Sequence, residues 1–228
     1  MPSAEVDADR PNGPRSRKGA ETRARMLAAA KEIFEENGFL DARISDIAER
    51  AGLSHGSFYH YFESKEEIFR EVAAAVEDTL SAPLGSVILD PASAATPQER
   101  IHEAIRQHLE SYRKEARIMG VIEQVSRYDA HVRRARNAHA QQYRNQVEES
   151  IRRMQRLGMV DPGLDPAIAA TVLGSMTSRF PEAWLVEGAI KCSFNDGVEQ
   201  LARVFINGLG FRDTDRDGRP PTGRRRAK

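Results

Sequence analysis

An all-α fold built from two helical modules is what the 228-residue sequence predicts, on three observations. Apolar residues recur at spacings of three and four along almost every segment between residues 19 and 211. No alternation of apolar and polar residues lasts long enough to make a strand. Capping residues and glycines punctuate the pattern where helices should begin and end.

The elements follow in order. A first helix runs from about Ala20 to Asn37 with Met26, Leu27, Ala30, Ile33 and Phe34 on one face, and Gly38 ends it in a left-handed turn. Ile44 to Ala51 is a short second helix closed by Gly52, and Ser54 caps a third that runs to Phe62. Ser64-Lys65-Glu66-Glu67 reads as a capping box ahead of the stripe Ile68, Phe69, Val72, Val76 and Leu80, in a helix that breaks near Pro83. Residues 83 to 96 read as an irregular linker at a domain boundary.

The second module restarts at Thr96-Pro97-Gln98-Glu99, where cap, N1 proline and N3 glutamate stand in the favoured places. Ile101, Ile105, Leu109 and Tyr112 continue it, followed by the apolar cluster Ile118 to Val125. A long helix from about Asp129 to Leu157 ends at Gly158. Asp165-Pro166 opens the next, which Pro181 must kink or end, and Ser193 caps a last helix with Phe194, Val198, Leu201, Phe205 and Leu209 on one stripe.

Composition narrows the class. Lys and Arg number 34 against 34 Asp and Glu, so coating of nucleic acid by bulk charge is disfavoured, while a locally basic surface is not. No apolar stretch approaches the roughly 20 residues that span a bilayer, and the polar start lacks a signal core, so a cytoplasmic protein without a membrane partner is expected. The lone Cys192 reads as a small buried apolar residue. Six scattered histidines show no metal-ligand spacing, and nucleophile elbow, Walker loop and dinucleotide fingerprint are missing, so no metal, no cofactor and no catalytic residue is expected.

Function concentrates between residues 44 and 63. Two short helices flank Ala51-Gly52-Leu53-Ser54, a turn of helix-turn-helix length. Ile47, Ala48, Leu53 and Phe58 can pack the pair together, leaving Ser54, His55, Ser57, Tyr59 and His60 as hydrogen-bonding groups on a projecting second helix. Such a helix fits a major groove about 12 Å wide.

Thr22-Arg23 with Met26-Leu27, Ala30 and Phe34, then Gly38-Phe39, Ile47-Ala48, AGLSHGSFYHYF over 51 to 62 and Lys65 resemble the TetR family of bacterial regulators across residues 20 to 69. The resemblance implies a three-helix helix-turn-helix DNA-binding domain, joined by a linking helix to a helical ligand-binding and dimerisation domain. It also implies a homodimer on double-stranded operator DNA, released by a small-molecule effector. It divides the chain into a basic arm (1–18), the DNA-binding domain (19–65), the effector and dimerisation domain (66–211) and a basic tail (212–228). Carried over position by position, His55, Gly56, Ser57, Tyr59 and His60 match the face that meets DNA, and Lys65 matches a phosphate contact. Tyr59 and Lys65 then position the protein, His55 and Ser57 specify sequence, and Gly56 allows close approach. Arg43 departs from the family pattern, which has Thr or Ser there: the N-cap is lost, and Arg43 is either a phosphate contact or a solvated charge. The arm, with Arg10, Arg15, Arg17, Lys18, Arg23 and Arg25, can follow the backbone or a minor groove, and the tail Arg224-Arg225-Arg226-Ala227-Lys228 can add general attraction.

In the second module the helix from Asp165 to Arg179 is apolar or small nearly all round, so one side needs a partner. With the Ser193 to Leu209 helix it can form a four-helix subunit interface, and a dimer predicts a pseudo-palindromic operator. Candidate pocket walls are His108, Tyr112, Met119, Ile122, Tyr143, Val147, Met176, Phe180 and Trp184, for a largely apolar effector. His139, with Ala138 and Gln142, interrupts the inward stripe of its helix and is either a polar ligand contact or part of an exposed middle. The competing classes are an all-helical small-molecule enzyme or carrier whose helix-turn-helix only packs, and a non-specific nucleoid-type binder.

Overall fold

A computed structural model describes residues 17–86 and 95–211. Arg10, Arg15, the middle of the expected linker and the tail Arg224 to Lys228 lie outside the described residues. Among these there are eight α-helices and no strand: α1 (Arg17–Asp41), α2 (Ile44–Arg50), α3 (His55–Phe58), α4 (Lys65–Ser86), α5 (Pro97–Ser126), α6 (Ala130–Arg156), α7 (Pro166–Pro181) and α8 (Phe194–Leu209). A π-helical turn, Glu182–Val186, follows α7 directly. The chain divides into two compact units between Val72 and Ala73, a boundary that falls inside α4.

The first unit is organised by aromatic rings. Phe34, Phe39 and Phe69 form a triangle with centroids 4.8 to 5.8 Å apart, so the chain leaving α1 is drawn back onto its own helix. Gly38 makes this possible with φ 72°, where a side chain would be strained, and the helix resumes for a last turn to Asp41 instead of stopping there. Met26, Ile47, Phe58 and Ile68 are fully buried and join α1 to α4 in one core. Two ion-pair sets hold the same elements from outside: Arg50 of α2 with Glu32 and Glu36 of α1, and Arg23 of α1 with Glu71 of α4.

Three expectations on these elements change. The third helix is four residues long, ending at Phe58 and not at Phe62, because beyond Phe58 the backbone bonds of His60 and Tyr61 close on the third residue back and tighten the exit. The helix expected to break near Pro83 runs on to Ser86: a missing N–H three residues before a helix end removes only one backbone bond. At the start of α4, Ser64 Oγ accepts from Glu67 N at 3.1 Å as expected, but the Glu67 carboxylate reaches back to the amide of Glu63 instead of Ser64.

In the second unit α5 lies in the middle, against α6, α7, α8 and the π-helical turn. Its N-terminus carries the full capping box of Thr96 and Glu99. Ile101, Ile105 and Leu109 of α5, Ile151 and Met154 of α6, Leu173 of α7, Trp184, and Leu201 and Phe205 of α8 form one buried cluster. α7 buries only Ala170, Leu173, Thr177 and Pro181; its opposite side leaves Ile168 67% and Val172 53% exposed, and Val204 of α8 is 53% exposed. Cys192 is exposed, contrary to the buried reading, because it stands in the irregular stretch ahead of α8 and outside the cluster.

Candidate functional site

The first unit presents its chemistry on α3. Gly52 (φ 69°) closes the turn after α2, and Leu53 N bonds Ala48 O at 2.9 Å across it. Ser54 then caps α3, its Oγ accepting from Ser57 N at 3.3 Å and lying 2.8 Å from Ser57 Oγ. Only Phe58 of this helix is buried. His55, Gly56, Tyr59 and His60 are exposed, as is Ser54, while Ser57 is half-buried. The His55 ring meets the Tyr59 ring edge-on at 5.5 Å, and Tyr59 meets Phe58 in the same way, so a buried phenylalanine steadies an exposed aromatic pair. An exposed, capped turn thus carries two imidazoles and a phenol outward, none of them buried in the core.

Arg43 occupies the N-cap position of α2, makes no side-chain cap and is exposed. Two basic residues of the sequence reading are otherwise engaged. Lys65 donates from Nζ to the carbonyls of Phe39 (2.8 Å), Leu40 (3.1 Å) and Ala42 (2.9 Å). An ammonium has three N–H groups, so in this arrangement none is left for a phosphate. Arg23, counted in the basic arm, pairs with Glu71 and lies 4.7 Å over the Phe62 ring. Both cations complete the fold of the unit instead of facing outward.

The second unit contains a cavity of about 350 Å³ walled by α4, α5, α6 and α7. Of the residues expected there, His108, Tyr112, Met119, His139 and Tyr143 line it. Ile122, Val147, Met176, Phe180 and Trp184 do not: Ile122 and Val147 are buried, Met176 and Phe180 pack against the main cluster, and Trp184 stacks on Phe180 and Phe194 within it. Helical periodicity finds residues that face inward but cannot distinguish a cavity wall from a filled core.

The wall also holds a charged set that apolar spacing could not reveal. Arg136 of α6 donates from Nε to Glu77 of α4 at 3.0 Å and from Nη1 to Glu123 of α5, with Ser126 Oγ 3.3 Å from Nη1. Arg133, Asn137 and Arg144 lie on the same side of α6. The lining is mixed, polar and apolar, because α6 turns a polar stripe to this space. His139 is the part of that stripe the sequence exposed, and its Nδ1 stands 3.6 Å from Asp78; Ala138 and Gln142 beside it are exposed.

His108 links three helices. Its Nε2 is 2.9 Å from Thr177 O and its Nδ1 is 3.1 Å from Leu80 O, and the ring is buried. Thr177 lies four residues before Pro181, whose missing N–H leaves that carbonyl without its helical donor. The imidazole proton therefore belongs on Nε2, where it supplies the donor. Burial holds the imidazole below its usual titration range, against the pull of the two carbonyls.

Residues 26–72 match the family model described as bacterial regulatory proteins, tetR family. The chain is 28% identical to an uncharacterized HTH-type transcriptional regulator, YdgC, of Bacillus subtilis, over 75% of this chain and 85% of that protein. It is 36% identical to the transcriptional repressor KstR2 of Mycobacterium tuberculosis over 38% of this chain and 45% of that one. Its fold is similar to that of the transcriptional regulator FadR of Bacillus subtilis in complex with stearoyl-CoA, with a TM-score of 0.66 and 20% identity over 82% of this chain and 98% of that one.

Proposed function

We propose that this chain, which belongs to the TetR family of bacterial regulatory proteins, acts as a homodimeric repressor held on a pseudo-palindromic operator and released by a small molecule. It is a DNA-binding transcriptional regulator and not an enzyme, as its relatives are. Residues 19–65 form the DNA-binding domain in this reading and 66–211 the effector and dimerisation domain. The observation that carries it is α3, whose polar side chains stand exposed on a single buried anchor, Phe58.

His55 and Ser57 are the residues assigned to base edges. Ser54, Gly56, Tyr59, His60 and Arg43 bring the backbone of the duplex close. Lys65 supports this surface from behind, by fixing the end of α1, and is not itself a phosphate contact. Ile168, Val172 and Val204 supply the apolar part of a subunit interface, and a second copy doubles the recognition helix for half-sites about one helical turn apart.

Release requires a ligand that binds the DNA-incompetent arrangement more tightly. A coupling of about 1–3 kcal/mol changes operator affinity several-fold to about a hundredfold. Two relatives support the reading by their names: one is a repressor, and the fold neighbour binds an acyl-CoA. Selection of bound fragments from random genomic DNA, followed by light scattering of the free protein and its complex, tests it. A dimer on a two-fold symmetric site is expected; a monomer indifferent to every duplex overturns the reading. No helix among the described residues is long and apolar enough to cross a membrane.

A further inference from the structure

The cavity of the second unit is short of negative charge once its internal pairs are counted. Glu77 and Glu123 both bond Arg136, so the two carboxylates of the wall are committed to one guanidinium. Arg133 reaches only the Ser126 carbonyl, at a long 3.4 Å, and Arg144 reaches the neutral Gln141 at 2.6 Å. Among the described residues neither has a carboxylate partner. Arg136 spends Nε and Nη1 on protein partners and has no partner among the described residues for the two N–H groups of Nη2.

A second donor stands by. The Tyr143 hydroxyl, beside Thr177, is buried and meets no hydrogen-bond partner of good geometry among the described residues. Burial pushes its phenol up to about 12, the Thr177 contact pulling the other way, so it keeps its proton and remains a donor. A buried donor without a well-placed acceptor is costly, and a ligand oxygen would remove that cost. The apolar and aromatic part of the wall comes from Leu80, Tyr112 and Met119, beside the polar Asn137, His139, Ser175 and Ser178.

We infer that the effector is an organic acid: an apolar body of up to a few hundred cubic ångströms carrying a carboxylate or comparable oxyanion that accepts from Arg136 Nη2 and Tyr143, within the field of Arg133 and Arg144. This rests on the reading of the cavity as the effector site. It also connects site and signal, because the guanidinium that would receive the acid is the one that ties Glu77 of α4 to α6. An oxyanion on Arg136 Nη2 shares the positive charge that holds Glu77 on Nε, and α4 is the helix that continues into the DNA-binding unit.

The test is a matched panel on the full chain: benzoate, phenylacetate, hexanoate and decanoate, each beside its amide and the amine of equal length. Thermal unfolding reads binding, and retention of a selected operator fragment reads release. At least one carboxylate is expected to bind about tenfold or more tighter than its amide, with the amines weaker still. Removing Arg136 strands Glu77 and Glu123, so the variants are Tyr143→Phe and the double change Arg133→Gln with Arg144→Gln. Each is expected to weaken the acid several-fold; Tyr143→Phe weakens the amide as well, whose carbonyl accepts from the same hydroxyl, while the double change acts on the acid far more than on the neutral amide. Amides or amines binding as well as acids, no acid binding at all, or acid affinity indifferent to both variants overturns the inference. A protein that grips DNA but ignores acids refutes only the ligand class; one that binds acids and no duplex refutes the regulatory reading.

Discussion

Lys65 Nζ stands 2.8 Å from the carbonyl oxygen of Phe39 and donates to it, with the Leu40 and Ala42 carbonyls as its other two acceptors. The ammonium also lies 4.8 Å over the Phe39 ring. One side chain at the start of α4 thus closes the carbonyl end of α1, where a helix leaves acceptors without donors. Lys65→Met should keep the stem and lose the bonds. We expect a stability loss of about 2 kcal/mol, since hydrogen bonds from a charged donor are worth about 1.5–3 kcal/mol each and these acceptors are only partly buried. Urea unfolding of the variant checks it. Unchanged stability with lost operator affinity would return Lys65 to the phosphate role.

Gly56 separates folding from recognition. A methyl group there meets nothing within 4 Å, and its backbone dihedrals are ordinary, so Gly56→Ala should fold at least as well as the parent and gain up to about 1 kcal/mol of helix propensity. The same methyl stands on the exposed surface of α3, where duplex backbone is to approach. Fluorescence anisotropy on the selected operator should show affinity reduced by about tenfold or more, with urea midpoints equal or higher. An alanine variant that binds as well as the parent would remove α3 from the interface.

The helices were legible because each reports itself locally. Thr96 and Glu99, Asp165 with Pro166, and Ser193 all cap where their residue types indicate. The face of α3 was legible too, since Phe58 alone carries its burial and the polar residues around it are left outward. The engagements of Lys65 and Arg23 were not, because a cation near a helix start reads alike whether it turns to carbonyls 25 residues away or to solvent. The cavity was read half correctly for a related reason. Arg136 lines it through partners 59 and 13 residues distant, and charge pairing over such separations leaves no periodic trace. Aromatic size pointed to Trp184 and Phe180, but large rings fill space as readily as they border it.

Trp184 also fixes a glycine. A Cβ at Gly197 of α8 would overlap three carbons of its indole, which is held between Phe180 and Phe194 and cannot retreat. Gly197→Ala should therefore cost about 1–3 kcal/mol by overpacking, despite alanine's better helix propensity. Trp184 is the single tryptophan, so its emission reports the displacement directly. An alanine variant as stable as the parent, with unchanged emission, would show that α8 has slack against the turn.

His108 gives the second unit an acid-sensitive joint. Its ring offers one proton when neutral, and Thr177 O, deprived of a donor by Pro181, takes it through Nε2 at 2.9 Å. Nδ1 then faces the Leu80 carbonyl at 3.1 Å without a proton between them. The nearest aromatic, Tyr112, has its ring centroid 6.2 Å away and carries no charge in this range. Burial depresses the folded-state pKa below the ordinary 6.5, so the unfolded chain takes up a proton that the folded chain refuses. Stability from this residue is whole above that value. It declines as pH falls from 6.5 toward the lowered folded pKa, with a slope of at most about 1.4 kcal/mol per pH unit for one proton. His108→Gln keeps a neutral donor for Thr177 and removes the titration. Subtracting its urea-unfolding profile from that of the parent, pH 7.5 to 5, cancels the other five histidines. The difference should be flat above pH about 6.5 and fall below it. Parallel profiles would mean that the ring takes up its proton alike in the folded and unfolded chain, and a parent that gains stability in acid would mean that the fold holds an imidazolium between both carbonyls; either result overturns the depressed pKa.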